Sequence, residues 1–570
     1  MATKASKANR KPAAIHAPAN SASWFWPFTA VLLAAIIAYW PALGGPFTFD
    51  DVHLPFGDRN AATAGPGLWL GGVRPLLMLT YWANYRMSGT HVISYHLVSL
   101  LLHIVTAVLV YFLLRRILDL TEITLDRRWC AFFGAGLFLL HPLQTESVSY
   151  IAGRSEEVAG LFYVAAWLVF LKHFRSPTTW GTALQILFLT GAAVLGKESA
   201  ISVPAILFLT DFYWNPAPVG KQVRSRLKLY APIVTGGLLA AFWILRSLRG
   251  GTSAGLGVAG FTPFTYALTQ CRVIPTYIRL YLIPLGQNGD WGLRFFQSLT
   301  DGGAAFYVVL MVVFAAIIVW TYSRAKLLSF GLLIFLVLLL PTSSVVPVKD
   351  ALAERRVYIP LIGLILASIW AFDYFRPKTQ TFFIVAGCLL AASAALTYQR
   401  NFVWSSEALL WQDSLAANPD NARAHLGLGD AYLVSRKCTD AIREFQAMGR
   451  IIGMGVEVKT NLAAAYQCDH QNEQALKMLR EIVATNPTAG LYAQIGYLEA
   501  VSEHGLEAMT ALNRALELDP RNALALAYRG VLHYTSGDLR NAYVDLHLAL
   551  EIDPGNEAAQ AGMALLERRR

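Results

Sequence analysis

The chain has 570 residues, 55% of them apolar and only 15% charged, with 47 Lys and Arg against 37 Asp and Glu. Ordinary soluble domains carry about a quarter charged residues, so this composition belongs to a chain lying mostly in lipid. Residues from 401 onward hold 15 basic and 21 acidic side chains, and the first 400 hold 32 and 16; a basic surplus between apolar runs is a topology signal and excludes a soluble enzyme, a DNA binder and a disordered chain.

Residues 1–23 are basic, with Lys4, Lys7, Arg10 and Lys11 among Ala and Pro, and read as a disordered cytoplasmic tail. The run Trp24–Leu43 lacks a signal-peptide cleavage site and reads as a first transmembrane helix. Apolar runs follow at 96–117, 129–141, 157–174, 180–196, 198–213, 228–246, 265–285, 303–322, 327–346, 357–374 and 380–398. Basic loops at Arg115/Arg116/Arg127/Arg128, Lys172/Arg175, Lys221/Arg224/Arg226/Lys228, Arg324/Lys326 and Arg376/Lys378 mark cytoplasmic turns. These signs place the Arg355 loop and everything after residue 400 outside the cytoplasm. An odd number of crossings is then required. About 11 are expected, with a re-entrant stretch near the Gly-rich residues 250–263. The predicted fold class is all-α: a polytopic membrane body over 24–399 and an α-solenoid over 400–570.

The solenoid rests on a period. Pro487, Pro520 and Pro554 are spaced 33 and 34, with Pro419 two periods upstream, and Ala441, Ala475, Ala508 and Ala542 recur in phase. Gly429, Gly496 and Gly530 occupy the position where paired helices cross closely. With L-G-x-x-Y at Leu428–Tyr432 and A-x-x-x-F at Ala441–Phe445, this is the tetratricopeptide (TPR) pattern: about four repeats and a capping helix. The five cysteines form no CxxC pair. Cys438 and Cys468, spaced 30, are read as a coincidence of the repeat and not as a bridge.

Chemistry-bearing residues gather on the non-cytoplasmic side. Asp50 and Asp51, with His53, follow the first helix; their bland alternative is a solvated loop, and their functional reading is a general base at the mouth of a membrane cleft. Arg74 belongs to the same loop. His141, Glu146, Arg154 and Glu156 form a second cluster, suited to hydrogen-bonding and positioning a sugar. Its His and Glu have no HExxH spacing, so no metal site is expected. Lys197, Arg355 and Arg356 sit at helix ends. They snorkel to headgroups or converge on a lipid-linked phosphate, which Arg grips bidentately and Lys as a point charge. No nucleotide-binding loop or catalytic serine elbow is present.

These strings together resemble the transmembrane and TPR-repeat-containing O-mannosyltransferases of the GT-C glycosyltransferase superfamily. The matching segments run in order: F-D-D at Phe49–Asp51, R-P-L at Arg74–Leu76, Y-H-L-V-S-L-L-L-H at Tyr95–His103, and H-P-L-Q-T-E-S-V at His141–Val148. G-R-S-E at Gly153–Glu156, G-K-E at Gly196–Glu198, Asp290-Trp291 and A-E-R-R-V-Y-I-P at Ala353–Pro360 complete them. F-D-D-V-H is also similar to the F-D-E-V-H of protein O-mannosyltransferases, whose first acidic residue is the catalytic base. That resemblance points to Asp50.

The resemblance implies a glycosyltransferase moving a mannose-like sugar, with inversion, from a polyprenyl-phosphate donor to a hydroxyl, first of all a protein Ser or Thr. Lys197, Arg355 and Arg356 would hold the donor phosphate. Asp51 would orient Arg74, His53 or the acceptor, and His141, Glu146, Arg154 and Glu156 would position sugar or acceptor. No cofactor is expected, and a divalent metal is compatible but not indicated. The partners implied are the lipid-linked donor, membrane lipids and a protein on the concave TPR surface; nucleic acid is not among them. Glycosylation of a lipid-linked or envelope glycan, a non-catalytic TPR scaffold and a transporter remain alternatives. The absence of any Asn-x-Ser/Thr sequon points to a bacterial inner membrane over the endoplasmic reticulum.

Overall fold

In the computed structural model, the described residues are 22–55, 65–70, 72–247 and 262–569. The expected N-terminal tail and most of the expected re-entrant stretch lie outside them. Among the described residues the secondary structure is helical, with no strand. The chain divides into two compact units. The first comprises residues 1–285, 296–349 and 354–402; the second comprises 286–295, 350–353 and 403–570.

Each apolar run of the sequence coincides with a helix of the first unit. Among the described residues, four helical stretches are long and apolar enough to cross a membrane: Phe25–Ala42, Val92–Leu118, Ala304–Thr321 and Thr379–Val403. Trp180–Gly196, Leu227–Phe242, Lys326–Leu339 and Leu361–Phe375 are shorter apolar helices. The helix Ala304–Thr321 exposes Phe306, Val309, Val312, Val319 and Trp320. Such a continuous apolar face suits contact with lipid. The helix Pro75–Ser88 has no counterpart among the expected runs. Arg74 and Pro75 start it, and polar Asn84, Arg86 and Ser88 dilute its hydropathy.

Val92–Leu118 packs on Arg127–Leu140 and on Arg154–Lys172, which in turn packs on Trp180–Gly196. Lys326–Leu339 lies against Leu361–Phe375 at a crossing of Gly331 and Gly363. A methyl group on either glycine would run into the other's carbonyl oxygen. Lipid gives packed helices no hydrophobic drive, so van der Waals contact at such small-residue crossings carries the association.

The second unit holds four helix pairs, running from Ala422–Val434 with Cys438–Ile452 to Ala523–Thr535 with Leu539–Ile552. Glu557–Arg569 follows them. Ala441, Ala475, Ala508 and Ala542 are completely buried. Gly429, Gly496 and Gly530 face Phe445, Leu512 and Leu546 so closely that a Cβ would collide with each side chain. The small-residue phase of the sequence is thus the contact line of the paired helices.

The loop 286–295 belongs to this unit. Arg423 grips Asp290 through both carboxylate oxygens at 2.5 and 2.6 Å, and Asn421 Nδ2 donates to the Asp290 carbonyl at 3.1 Å. Ser414 Oγ donates to Asn288 Oδ1 at 2.7 Å. Gly292 adopts φ +50°, where the Asn418 and Asn421 amides leave no room for a Cβ.

One expectation is corrected here. Cys438, at the start of one helix, and Cys468, at the end of the next, form a disulfide across a Cα–Cα distance of 5.5 Å. The solenoid stacks these helix ends side by side, which spacing alone did not reveal. Closing a ring of this size stabilises a fold by about 2–4 kcal/mol. Reductant should therefore lower the thermal midpoint of the second unit in the intact chain, and Cys438→Ser should abolish that response. Identical melting with and without reductant, in protein whose bridge is verified by alkylation and mass, would contradict this.

Candidate active site

The segment after the first helix bends into a short turn, Phe49–His53. Phe49 takes φ +50°, a left-handed backbone that a bulky residue rarely adopts and that clusters at functional sites. Its ring meets the edge of Tyr150, centroids 5.6 Å apart. Asp50 is exposed, and its backbone N–H donates to the Tyr150 hydroxyl at 2.9 Å. His53 is exposed at the end of the turn.

Asp51 behaves differently. It is 1% exposed and accepts the backbone N–H of Thr48 at 3.1 Å and of Ala152 at 2.7 Å. Burial pushes its carboxyl up to about 7, against the pull of those two amides. Asp51 thus pins the turn to the segment before Arg154. Of the partners expected for Asp51, which were Arg74, His53 or the acceptor, Arg74 is held by Glu198 instead.

Three cations each meet a carboxylate. Arg74 forms a two-point pair with Glu198 at 2.8 and 2.5 Å. Lys197 pairs with Glu156, both nearly buried. Arg355 pairs with Glu146 through its side chain, while its backbone N–H donates to the other Glu146 oxygen at 2.9 Å. The Arg355 guanidinium also lies over the Tyr150 ring, 5.5 Å from its centroid. Burial would raise the Glu198 carboxyl, yet Arg74 and Lys197 overcome it and hold the group at about 2. Burial lowers the Lys197 ammonium; Glu156 opposes this, and the nearby charges of Arg74 and Arg355 add to it. The three pairs are therefore one electrostatic cluster. Arg356, almost buried, lines a small cavity with Glu156, Tyr163, Ser199, Ser202 and Thr342.

Two expected positioning residues are posts instead. Arg154 is fully buried. It donates to Asn84 Oδ1 at 2.8 Å, to the Tyr95 carbonyl at 2.7 Å and to Ser99 Oγ at 3.2 Å, beneath the Tyr81 ring. His141 receives the Leu143 N–H on Nδ1 at 3.2 Å, donates from Nε2 to the Tyr281 carbonyl at 3.0 Å and stacks on the Tyr281 ring. Glu146 and Glu156 are brought to the cluster as partners of its cations. Tyr150 and the pairing role of Glu198 were not legible from residue types. Among the described residues, no group of three His, Cys, Asp or Glu side chains is arranged to hold a metal ion.

These features define a polytopic helical membrane protein with a charge-paired site and a TPR solenoid. The tetratricopeptide repeat family model matches residues 405–450. A protein O-mannosyl-transferase of Caenorhabditis elegans is 26% identical over 424 residues, covering 69% of this chain and 58% of its own length. The human protein O-mannosyl-transferase TMTC4 is 25% identical, covering 74% of this chain and 66% of its own. Mouse protein O-mannosyl-transferase TMTC3 is 23% identical, covering 78% and 53%. The chain is thus related to the transmembrane and TPR-repeat-containing O-mannosyltransferases along most of its length, and it spans between about half and two thirds of the length of these relatives.

The burial of Asp51 has a consequence in pH. Its carboxyl lies higher in the fold than its ordinary 3.8. The associated stability is therefore full below about pH 4 and is lost as pH rises through about 7. Melting of the reconstituted protein between pH 4 and 7 should show a shallower decline for Asp51→Asn than for the parent chain. Parallel pH profiles would remove Asp51 as the titrating group.

Proposed function

We propose that this chain is a membrane glycosyltransferase. It moves a mannose-like sugar from a polyprenyl-phosphate donor to a hydroxyl, Ser or Thr of a protein, with inversion. The observation that carries this reading is the exposed Asp50 carboxylate on a strained turn that one residue, Tyr150, ties to the cation Arg355. The names of the relatives supply the sugar and the protein acceptor.

The chemistry is a single displacement. Asp50 takes the proton of the acceptor hydroxyl as its oxygen attacks the anomeric carbon, a contribution of about 10²–10⁴-fold. The bond from that carbon to the phosphate oxygen breaks, and the lipid phosphate leaves with an added negative charge. Lys197, Arg355 and Arg356 stabilise that growing charge. A phosphate needs no general acid. With one base and no protein nucleophile, the anomeric configuration inverts. The TPR surface presents the protein acceptor or a partner.

The active site and the repeats lie on the non-cytoplasmic face, of a bacterial inner membrane in this reading. The Cys438–Cys468 bridge supports that side, because disulfides persist in oxidising compartments. Cysteines introduced as Asn418→Cys and Gly537→Cys should react with an impermeant maleimide on intact cells. Labelling only after permeabilisation would reverse the topology.

With purified chain and a short polyprenyl-phosphate mannose, Asp50→Asn should reduce turnover by about 10²-fold or more while donor binding persists. Arg355→Ala should instead weaken donor binding by about tenfold or more, the scale of a lost charge-assisted hydrogen bond. Full activity of Asp50→Asn would sink the catalytic assignment. If the sugar appears on glycolipid and on no protein, the acceptor is a lipid-linked glycan.

A further inference from the structure

We propose that Tyr150 is a positioning residue that sets the Asp50 base and the Arg355 cation at a fixed separation; this rests on the reaction read above. The side chain is 2% exposed and does two separable things. Its hydroxyl accepts the Asp50 backbone N–H at 2.9 Å. Its ring packs against Phe49 and lies under the Arg355 guanidinium, 5.5 Å from ring centroid to carbon.

Neither contact is a by-product of general packing. Asp50 is exposed and Phe49 holds a left-handed backbone, so the buried Asp51 next to them does not by itself account for how that part of the turn is held. The Asp50 amide bond to Tyr150 and the Asp51 bond to the Ala152 amide fasten it from one side. Arg355 is caught between Glu146 and Tyr150, which stand four residues apart around the short helix Thr145–Ser149. A cation over an aromatic face is attracted by the ring quadrupole. The hydroxyl therefore serves the base, and the ring serves the phosphate-binding cation. A displacement whose base and leaving-group contact sit on opposite sides of one carbon requires that spacing to be held, because misplacement of about 1 Å can cost 10²-fold.

The two functions separate by substitution. Tyr150→Phe keeps the ring and removes the acceptor of the Asp50 amide, whereas Tyr150→Leu removes both. The full chain in lipid nanodiscs would be given a radiolabelled short-chain polyprenyl-phosphate mannose. Donor binding and release of mannose to water would be measured separately. Tyr150→Phe should lower the release rate about tenfold with donor affinity unchanged; Tyr150→Leu should in addition weaken donor binding about tenfold. Hydrogen exchange of the amides in segment 47–54 should quicken in both variants, a readout independent of activity. Unaltered exchange in Tyr150→Phe would overturn the proposal, and so would equal losses of rate and affinity in both variants. Failure of the parent chain to release mannose, or undiminished release by Asp50→Asn, would instead count against the reaction, with the exchange data still deciding the role of Tyr150.

Discussion

The carboxylate of Glu146 and the side chain of Tyr150 stand on one buried stretch of backbone. Between them they fix Arg355 and the turn that carries Asp50. The Ala152 amide adds the hold on Asp51. That stretch is itself constrained at both ends. His141 uses both ring nitrogens on backbone groups at its entrance, and Arg154 spends three donors in the core at its exit. Gly153 closes it, because any Cβ there would strike the Glu146 and Ser147 carbonyls. A site built on such a segment has little freedom to drift, which is the condition for electrostatic preorganisation.

Burying charge makes the pairing of the cations necessary. Removing an ion from water costs several kcal/mol even after relaxation, and a partner at hydrogen-bond distance offsets this only with good geometry. Lys197 and Glu156 are buried on both sides and meet that condition most fully; Arg355 pairs with the buried Glu146, while Arg74 and Glu198 pair where both are partly exposed. Deleting one carboxylate would leave a charge uncompensated, so the acids are as much a part of the site as the bases. The pairs also aim the cations. A guanidinium carries five donors in a planar fork and can serve more than one acceptor. In the displacement proposed above, a phosphate gaining charge as it leaves would draw on those donors more strongly than the bound diester does.

The helices and the repeat register were legible because each rests on a local rule. Twenty-residue apolar runs, a 34-residue period and small residues in phase all recur along the chain itself. Pro75–Ser88 escaped because its polar residues Asn84 and Ser88 break the apolar pattern that marks a span. Within the candidate site, the neighbour string singles out Asp50, and the structure leaves that residue exposed on the turn. The division of labour with Asp51 was not legible, since it depends on an amide a hundred residues away. Tyr150 was invisible for the same reason: one tyrosine among 24 carries no signal until the fold sets it beside Asp50 and Arg355. The disulfide shows the converse error, in which a regular spacing was dismissed although stacked repeats bring its two ends together.

A solenoid exposes an unsatisfied face at each end unless something caps it. On one side the helix Glu557–Arg569 packs on the pair Ala523–Thr535 and Leu539–Ile552. At the other end, the helix Glu407–Ala417 packs on the first repeat, and the loop 286–295 is fastened through Ser414, Asn421 and Arg423. Asp290 is nearly buried, and both its oxygens are taken by Arg423. The Asp290-Trp291 string therefore has a structural explanation that needs no substrate: it completes the first repeat. The same Arg423 also reaches Asp350 at 3.3 Å, and the chain runs from Asp350 directly into Glu354, Arg355 and Arg356. The end of the repeats at Ala422–Val434 is thus fastened by segments of the second unit, 286–295 and 350–353, that come from far earlier in the sequence than the repeats themselves.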